Sequence, residues 1–283
     1  MKINFSKKIT FILLHFTCFF SLFFEINKNL IIICCLSYFI RMFAITGFFH
    51  RYFSHKSFKT NRFFQFIFAI LGATAAQRSA LWWAAHHREH HKFSDKTEDP
   101  HSPLHKGLWW SHMFWFLVQE NFETKYKNIP DLKKYPELVF LDKYDELIPF
   151  LCVLLSFFCG WYLETRHPYL GINPITFFIW GFIIPTVLAM HVTFSINSLA
   201  HRFGYKAYPT KDNSKNNWLL ALFTLGEGWH NNHHYYPASV QQGFYWWQID
   251  ITFYILKFLS FLGIIHSLRL PAEYIYHEKK SNA

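Results

Sequence analysis

The chain has 283 residues, 52% of them hydrophobic and 22% aromatic, with 35 Phe, 11 Trp and a formal net charge of +10. The apolar residues come in blocks, which excludes an ordinary soluble domain and predicts a single integral-membrane domain over residues 1–283. Such blocks also argue against nucleic acid as the partner of the basic charge, which reads instead as the cytoplasmic bias of a membrane protein.

Met1–Lys8 followed by apolar Ile9–Phe24 imitates a signal peptide. It has no small-x-small cleavage site, so it reads as an uncleaved first span, about 9–24. The turn Glu25–Asn29 leads to a second span, about 30–49, and each approaches the roughly 20 apolar residues that cross a bilayer. Arg41 inside the second span is costly there and is expected to face protein or to snorkel. Arg51–Asp145 is the most basic segment and is therefore expected in the cytoplasm. Within it, Phe63–Ala76 is too short to span comfortably and predicts an interfacial or buried helix. Leu108–Val118 reads the same way, with Trp109, Trp110 and Trp115 as interface anchors.

A third span is predicted at about 147–163 and a fourth at about 175–199, the fourth kinked at Pro185. The loop between them carries Arg166 as its one firm positive charge, which fits the opposite side. The expected fold is all-α: four transmembrane helices with a cytoplasmic helical cap made of 50–145 and 200–283, both termini inside. Cys18, Cys34, Cys35, Cys152 and Cys159 all lie in apolar runs and read as small buried hydrophobes. Lys279–Lys280 reads as a solvated tail.

The chemistry is concentrated in histidines. Trp82–His91 holds four of them, and on a helix His87, His90 and His91 fall at i, i+3 and i+4, on one face. His230, His233 and His234 repeat the H-x-x-H-H spacing. His50 and His55 are five residues apart, about 140° round an α-helix, so the second span is expected to end between them. Asn197 and His201 share a face at the end of the fourth span. Nine imidazoles and one amide are too many for one metal and suit two with open positions. Without thiolates the set suits a redox metal better than structural zinc. Glu89, Asp95, Asp99 and Glu227 are expected to orient ring N–H groups from outside. His86 is out of register. His15, His191 and His266 read as core or interface residues, His101, His105 and His112 simply follow the box, and Asp99–Pro103 reads as a turn.

HRYFSH, HHREHH and GEGWHNNHH, with the Asn-x-x-x-His of NSLAH, resemble the histidine boxes of membrane fatty-acid desaturases of the acyl-CoA (stearoyl-CoA) Δ9 type. The likeness runs from about Gly47 to Trp247. It implies a non-haem di-iron enzyme using O2, in which His50, His55, His87, His90, His91, His201, His230, His233 and His234 bind iron and Asn197 binds through a water. It also implies an acyl tunnel whose bend is lined by Gln77, Trp83 and Thr193, with Phe194 replacing a Trp. One departure stands out: Ala85-His86 occupies the place of an Arg-Asp pair that in the family helps hold coenzyme A. Arg78, Arg88, Lys92 and Lys106 remain nearby as phosphate contacts.

The implied reaction places a cis double bond, Δ9, in a saturated acyl chain, with acyl-CoA ahead of acyl-carrier protein and phospholipid. Two hydrogens leave the chain, O2 becomes water, and two external electrons balance the change. No cytochrome b5 haem motif is fused to the sequence, so a separate donor is expected, a ferredoxin or cytochrome b5 with its reductase. The expected setting is a bacterial cytoplasmic membrane. An unactivated C–H bond offers no charge for acid–base chemistry, so a cofactor must carry the hard step. The protein's part is to position one methylene pair. A membrane hydroxylase using the same boxes is the near alternative. A metal-handling transporter is the distant one, because transport sites tend to lie at the bilayer midplane on broken helices.

Overall fold

In the computed structural model, which describes residues 5–278, the chain is mostly helical. Lys279–Lys280 lies outside the described residues. α1 (Phe5–Cys18) continues into a 3-10 turn, Phe19–Phe23. Among the described residues, three helices are long and apolar enough to cross a membrane: Lys28–Ser54, Leu147–Arg166 and Pro174–Ser198. They match the second, third and fourth expected spans. The first expected span is the shorter apolar helix Lys8–Phe23.

α2 (Lys28–Phe43) starts where the Asn27 side chain accepts from the backbone N–H groups of Asn29 and Leu30. It does not stop before His50. It passes into a π-helical stretch, Ala44–Ser54, in which every residue but Tyr52 is buried. The whole helix of 27 residues is about 40 Å long against a hydrocarbon layer of about 30 Å. Its last turns therefore belong to the cap. The expected break between His50 and His55 is replaced by the wider turn: His55 N–H bonds to the His50 carbonyl at 3.2 Å, an i→i+5 bond. The extra residue per turn brings positions five apart to one side, which a straight α-helix forbids.

α3 (Arg62–Ala73) and α4 (Ala80–Phe93) pack on this stretch. The main core forms between them, with Phe48, Phe49, Phe53, Phe68, Leu81 and Leu138 fully or nearly buried. Phe48 and Phe68 stack with centroids 3.9 Å apart. Leu108–Val118 forms two short turns, Trp110–Phe114 and Trp115–Leu117. Trp109 is exposed, as expected of an anchor, but Trp115 is buried and belongs to an internal wall.

α5 (Pro136–Lys143) precedes α6 (Leu147–Arg166), which buries only Ser156 and Gly160 and turns its Phe and Leu side chains outward. Gly160 is required by close approach: a Cβ there would sit 2.5 Å from Pro174 Cα. After Pro174–Phe177 comes a second π stretch, Phe178–Ile183, and then α7 (Ile184–Ser198). Pro185 has no N–H to offer the carbonyl of Gly181, four residues back. That carbonyl accepts instead from the Ser37 hydroxyl at 2.6 Å and from the Arg41 guanidinium at 3.4 Å. Arg41 also donates to Thr74 O, so the charge inside α2 is buried among backbone acceptors, as the sequence required. The chain ends through α8 (His230–Tyr235) and α9 (Ile251–Phe261), with β1 (Lys59–Thr60) pairing antiparallel with β2 (Ile265–His266).

Candidate active site

The π stretch, α4, the end of α7 and α8 converge on one point, and they bring all nine box histidines with them. His50, His55, His87, His91 and His233 form one group able to hold a metal ion, and His90, His201, His230 and His234 form a second. Within each set the ligand atoms lie within 4.8 Å of one another. In the first, facing Nε2 atoms are 2.7 Å apart for His55 and His87, 3.0 Å for His87 and His91, 2.9 Å for His91 and His233, and 3.1 Å for His233 and His50. In the second, His201 Nε2 and His230 Nε2 are 3.0 Å apart. With their protons held on the opposite ring nitrogens, lone pairs gathered this closely could hold a cation.

Four of the opposite ring nitrogens face outward onto carboxylates. His50 Nδ1 meets Glu227 Oε2 at 2.5 Å, His90 Nδ1 meets Asp99 at 3.0 Å, His201 Nδ1 meets Asp95 at 3.0 Å, and His234 Nδ1 meets Asp212 at 2.7 Å. A proton held at Nδ1 leaves the Nε2 lone pair free to bind. His234 Nε2 is buried with no hydrogen-bond partner, which suits a metal-ligating nitrogen. Burial, reinforced by neighbouring imidazoles, holds His87, His91, His230 and His233 well below the usual histidine range, so these rings are neutral and basic in the Lewis sense. Burial alone would raise Asp95 and Asp212, but hydrogen bonds from His201 and His234 override it and hold both well below the usual carboxylate range. An all-nitrogen set backed by carboxylates fits a borderline redox metal such as iron.

A third cluster by distance is His90, Asp99 and His101. Asp99 is already committed: its oxygens accept from His90, from Asp95 N at 2.9 Å and from His101 N at 3.1 Å. It is the outer support of the second group, and the expected turn at Asp99–Pro103 supplies it. His86 stays out of both groups and meets Glu123 O at 3.1 Å, and burial holds its ring down to about 3. His15, His191 and His112 form a hydrogen-bonded chain reaching Ser198 Oγ, with links of 2.8, 3.0 and 3.0 Å.

Beside the histidines lies a cavity of about 560 Å³, and Gln77, Trp83, Thr193, Phe194 and Asn197 all line it. Gln77 Nε2 donates to Thr193 Oγ1 at 3.1 Å, tying the loop before α4 to α7. A smaller chamber, lined by Trp83, His87, Thr193 and Asn197 together with His50, His90 and His230, adjoins it. Of the nine box histidines His87 lines the large cavity, and the smaller chamber carries the lining on to His50, His90 and His230, members of both groups.

A family model described as fatty acid desaturase matches residues 29–266. The chain belongs to the fatty acid desaturase family. This desaturase is 40% identical over 230 residues to an sn-1 stearoyl-lipid 9-desaturase of Synechocystis sp., which covers 81% of this chain and 68% of the relative. It is 37% identical over 244 residues to an acyl-CoA 5-desaturase of Anemone leveillei, covering 84% of this chain and 70% of the relative. It is 35% identical over 280 residues to Delta-9 acyl-lipid desaturase 1 of Arabidopsis thaliana, covering 96% of this chain and 85% of the relative. The desaturase is accordingly an oxidoreductase acting on lipid chains, associated with a membrane.

Sequence reasoning missed several residues that hold the desaturase's site. Arg51, inside the first box, is buried between Glu227 and Asp250 and donates to Glu227 Oε1 at 2.9 Å, to Asp250 Oδ2 at 3.0 Å and to Val240 O at 2.7 Å. Asp250 also caps α9, accepting from Phe253 N, and an acidic residue just before an apolar run was the available signal. Gly226, with φ +127°, passes so close that a Cβ would lie 2.4 Å from Asp250 Oδ1. Asn231 and Asn232, between the ligands of the last box, are fully buried. Asn231 Oδ1 accepts from Ala207 N and Tyr208 N, and Asn232 Nδ2 donates to Gln242 O and Gln248 Oε1. Asp212 had no signal beyond its type.

Two expectations change. Glu89 orients no ligand: it is held by Lys125 at 2.5 Å. Arg88 is structural rather than poised for phosphates, pairing with Asp131 and donating to the carbonyls of Phe53 and Ser54, whereas Arg78 pairs with Asp145 and lines the cavity with a buried Nη1 that has no hydrogen-bond partner.

Proposed function

We propose that the chain is an O2-dependent di-iron desaturase that introduces a cis double bond, at Δ9, into a saturated acyl chain. The observation that carries this is the convergence of nine imidazoles into two groups beside an apolar cavity lined by Gln77, Trp83, Thr193 and Phe194. One iron would be held by His50, His55, His87, His91 and His233, the other by His90, His201, His230 and His234, with Asn197 placed to act through a water. Bound iron supplies the one-electron and O2 chemistry that no side chain here can perform.

The remaining work falls to the chain itself. Glu227, Asp95, Asp99 and Asp212 keep the Nδ1 protons outside, so the ligand faces stay turned inward. The aromatic walls exclude water from the methylenes, and Trp83 with the Gln77–Thr193 bridge sets where the chain passes the histidines. The two electrons come from a separate donor, a ferredoxin or a cytochrome b5 with its reductase. α1 is read as a fourth span, with both termini and the histidine face on the cytoplasmic side, which agrees with the basic cap.

The relatives named for stearoyl-lipid and Delta-9 acyl-lipid chains support the position of the double bond. Those named for acyl-CoA and for acyl-lipid leave both carriers in view. Expression in a desaturase-deficient host followed by fatty-acid methyl ester analysis tests the proposal. Δ9-monounsaturated chains are expected, and none from a His233→Ala variant. Hydroxylated chains in their place would establish the hydroxylase instead.

A further inference from the structure

The loop before α4 is bent by two residues that lack glycine's freedom. Ala76 at φ +54° and Arg78 at φ +67° both sit in the left-handed region. Such conformations cost free energy and persist where the surroundings fix them. Here neighbouring side chains go to different partners. Gln77 reaches Thr193 at 3.1 Å, and Arg78 Nε reaches Asp145 Oδ2 at 2.9 Å. The guanidinium also lies over two rings, its Cζ 3.5 Å from the Phe122 centroid and 5.4 Å from that of Trp82. The Arg78 side chain is 19% exposed and lines the large cavity.

Held this way, the guanidinium has one group left over. Arg78 Nη1 is buried with no hydrogen-bond partner. A charged donor in that position is costly unless a ligand fills it. His86 Nδ1, His101 Nδ1 and Trp115 Nε1 line the same cavity and are also unpartnered. Among the described lining residues, though, Arg78 alone carries a permanent positive charge, since burial holds both of those histidine rings down to about 3. The chemistry of the missing partner follows from the charge balance. Asp145 is paired with the guanidinium, and Asp142 also acts on it. A further anion meets those carboxylates, whereas an uncharged oxygen takes up the free N–H without adding charge. In an acyl substrate the strong neutral acceptor at the head of the chain is the C1 carbonyl.

We propose that Arg78 Nη1 binds the C1 carbonyl oxygen of the acyl chain, ester or thioester, and so fixes the count of methylenes from C1 to the histidines. This rests on the desaturase reading and adds to it the residue that sets double-bond position. Head and bend are then held by adjacent residues. Arg78 takes the carbonyl, and Gln77, through Thr193, holds the wall where the chain passes Trp83. Position is measured from C1, not from the methyl end.

Displacement of methyl parinarate, a fluorescent acyl ester, from the purified full-length protein tests the carbonyl contact. Methyl stearate and 1-methoxyoctadecane differ only in C=O against CH2 at C1. The wild type is expected to bind the ester about 10–100-fold more tightly, the range for a hydrogen bond to a charged group. Arg78→Met should remove most of that gap. Arg78→Lys, which keeps a charge for Asp145 without the planar fork, should do the same and covers a failure of the first variant to fold. The gap should recur for one carrier, stearoyl-CoA against S-octadecyl-CoA or 1-stearoyl- against 1-octadecyl-lysophosphatidylcholine, and the pair that shows it names the source. In a desaturase-deficient host, wild-type products from palmitoyl and stearoyl chains should share one double-bond position counted from C1. The folded variants should scatter it. Equal binding of ester and ether by the wild type, an undiminished gap in a folded variant, no gap for either carrier, or an unscattered bond position would each overturn the assignment. Displacement needs neither iron nor turnover, so an Arg78-dependent gap in a protein that forms no double bond would remove the desaturase reading and keep the carbonyl site.

Discussion

The two histidine groups sit side by side but are supported differently. The second rests on three carboxylates, Asp95, Asp99 and Asp212, each facing one ligand ring. The first rests, among the described residues, on Glu227 as its one carboxylate, and Arg51 pairs with that carboxylate. Its other outer contact is neutral, Gln242 Nε2 lying 3.3 Å from His233 Nδ1. The four-histidine group thus has the more anionic surroundings, which favour a higher charge on a bound cation. The five-histidine group has more nitrogen and less charge. Ligand count and outer charge compensate, so two metals of one kind would be held in sites of different character.

The largest expected effect comes from removing a ligand on either side. His55→Ala in the first group and His230→Ala in the second should each abolish desaturation, because neither group can substitute for the other. His105→Ala, exposed and outside both, should keep most activity. Product analysis in the desaturase-deficient host measures all three, and activity surviving in one ligand variant would show that one group is dispensable.

The outer residues separate the groups next. Glu227→Gln removes a charge from a buried network with Arg51, Asp250 and His50, and should destabilise the fold by about 3–5 kcal/mol. Asp212→Asn keeps shape and breaks no other ion pair, so it should leave the fold nearly intact and weaken metal binding at the second group by about 10–100-fold. Thermal unfolding read beside metal retention under a chelator distinguishes these outcomes. Equal stability loss in the two variants would erase the contrast.

A smaller, shared effect is set by pH. The rings of His87, His91, His230 and His233 are held well below the usual histidine range in the folded chain, and titrate near about 6.5 when unfolded. As pH falls through that value the unfolded chain takes up protons that the folded chain refuses. Stability is therefore complete above about pH 7 and falls progressively as pH drops below about 6.5. Competition between protons and metal acts in the same direction. Unfolding temperatures measured at about pH 7.5 and about pH 5.5 should fall on the acid side, and equal values would contradict the buried, neutral state of these rings.

How much of this was legible in sequence depended on how local the cause was. His87, His90 and His91 shared a face because α-helix geometry alone decides it, and blocks of apolar residues located the long helices. His50 and His55 defeated the same rule, because a π turn is imposed by packing and by buried backbone partners, not by the spacing itself. Trp115 looked like an interface anchor because an apolar run ending in tryptophans reads alike whether its wall faces lipid or a cavity. Arg51 and Asp212 were invisible for a further reason: their partners lie 176 residues and 22 residues away along the chain. The carbonyl freed by Pro185 was readable as a kink, but not its capture by Ser37 and Arg41 across helices.

The central claim, that each histidine group holds its own iron, is tested most directly by counting metal in purified, active protein and in one variant from each group. The account predicts about two irons per chain in the wild type, and about one in His55→Ala and in His230→Ala separately. Stoichiometric zinc in active protein, or a wild type with about one metal that either variant removes completely, would contradict it.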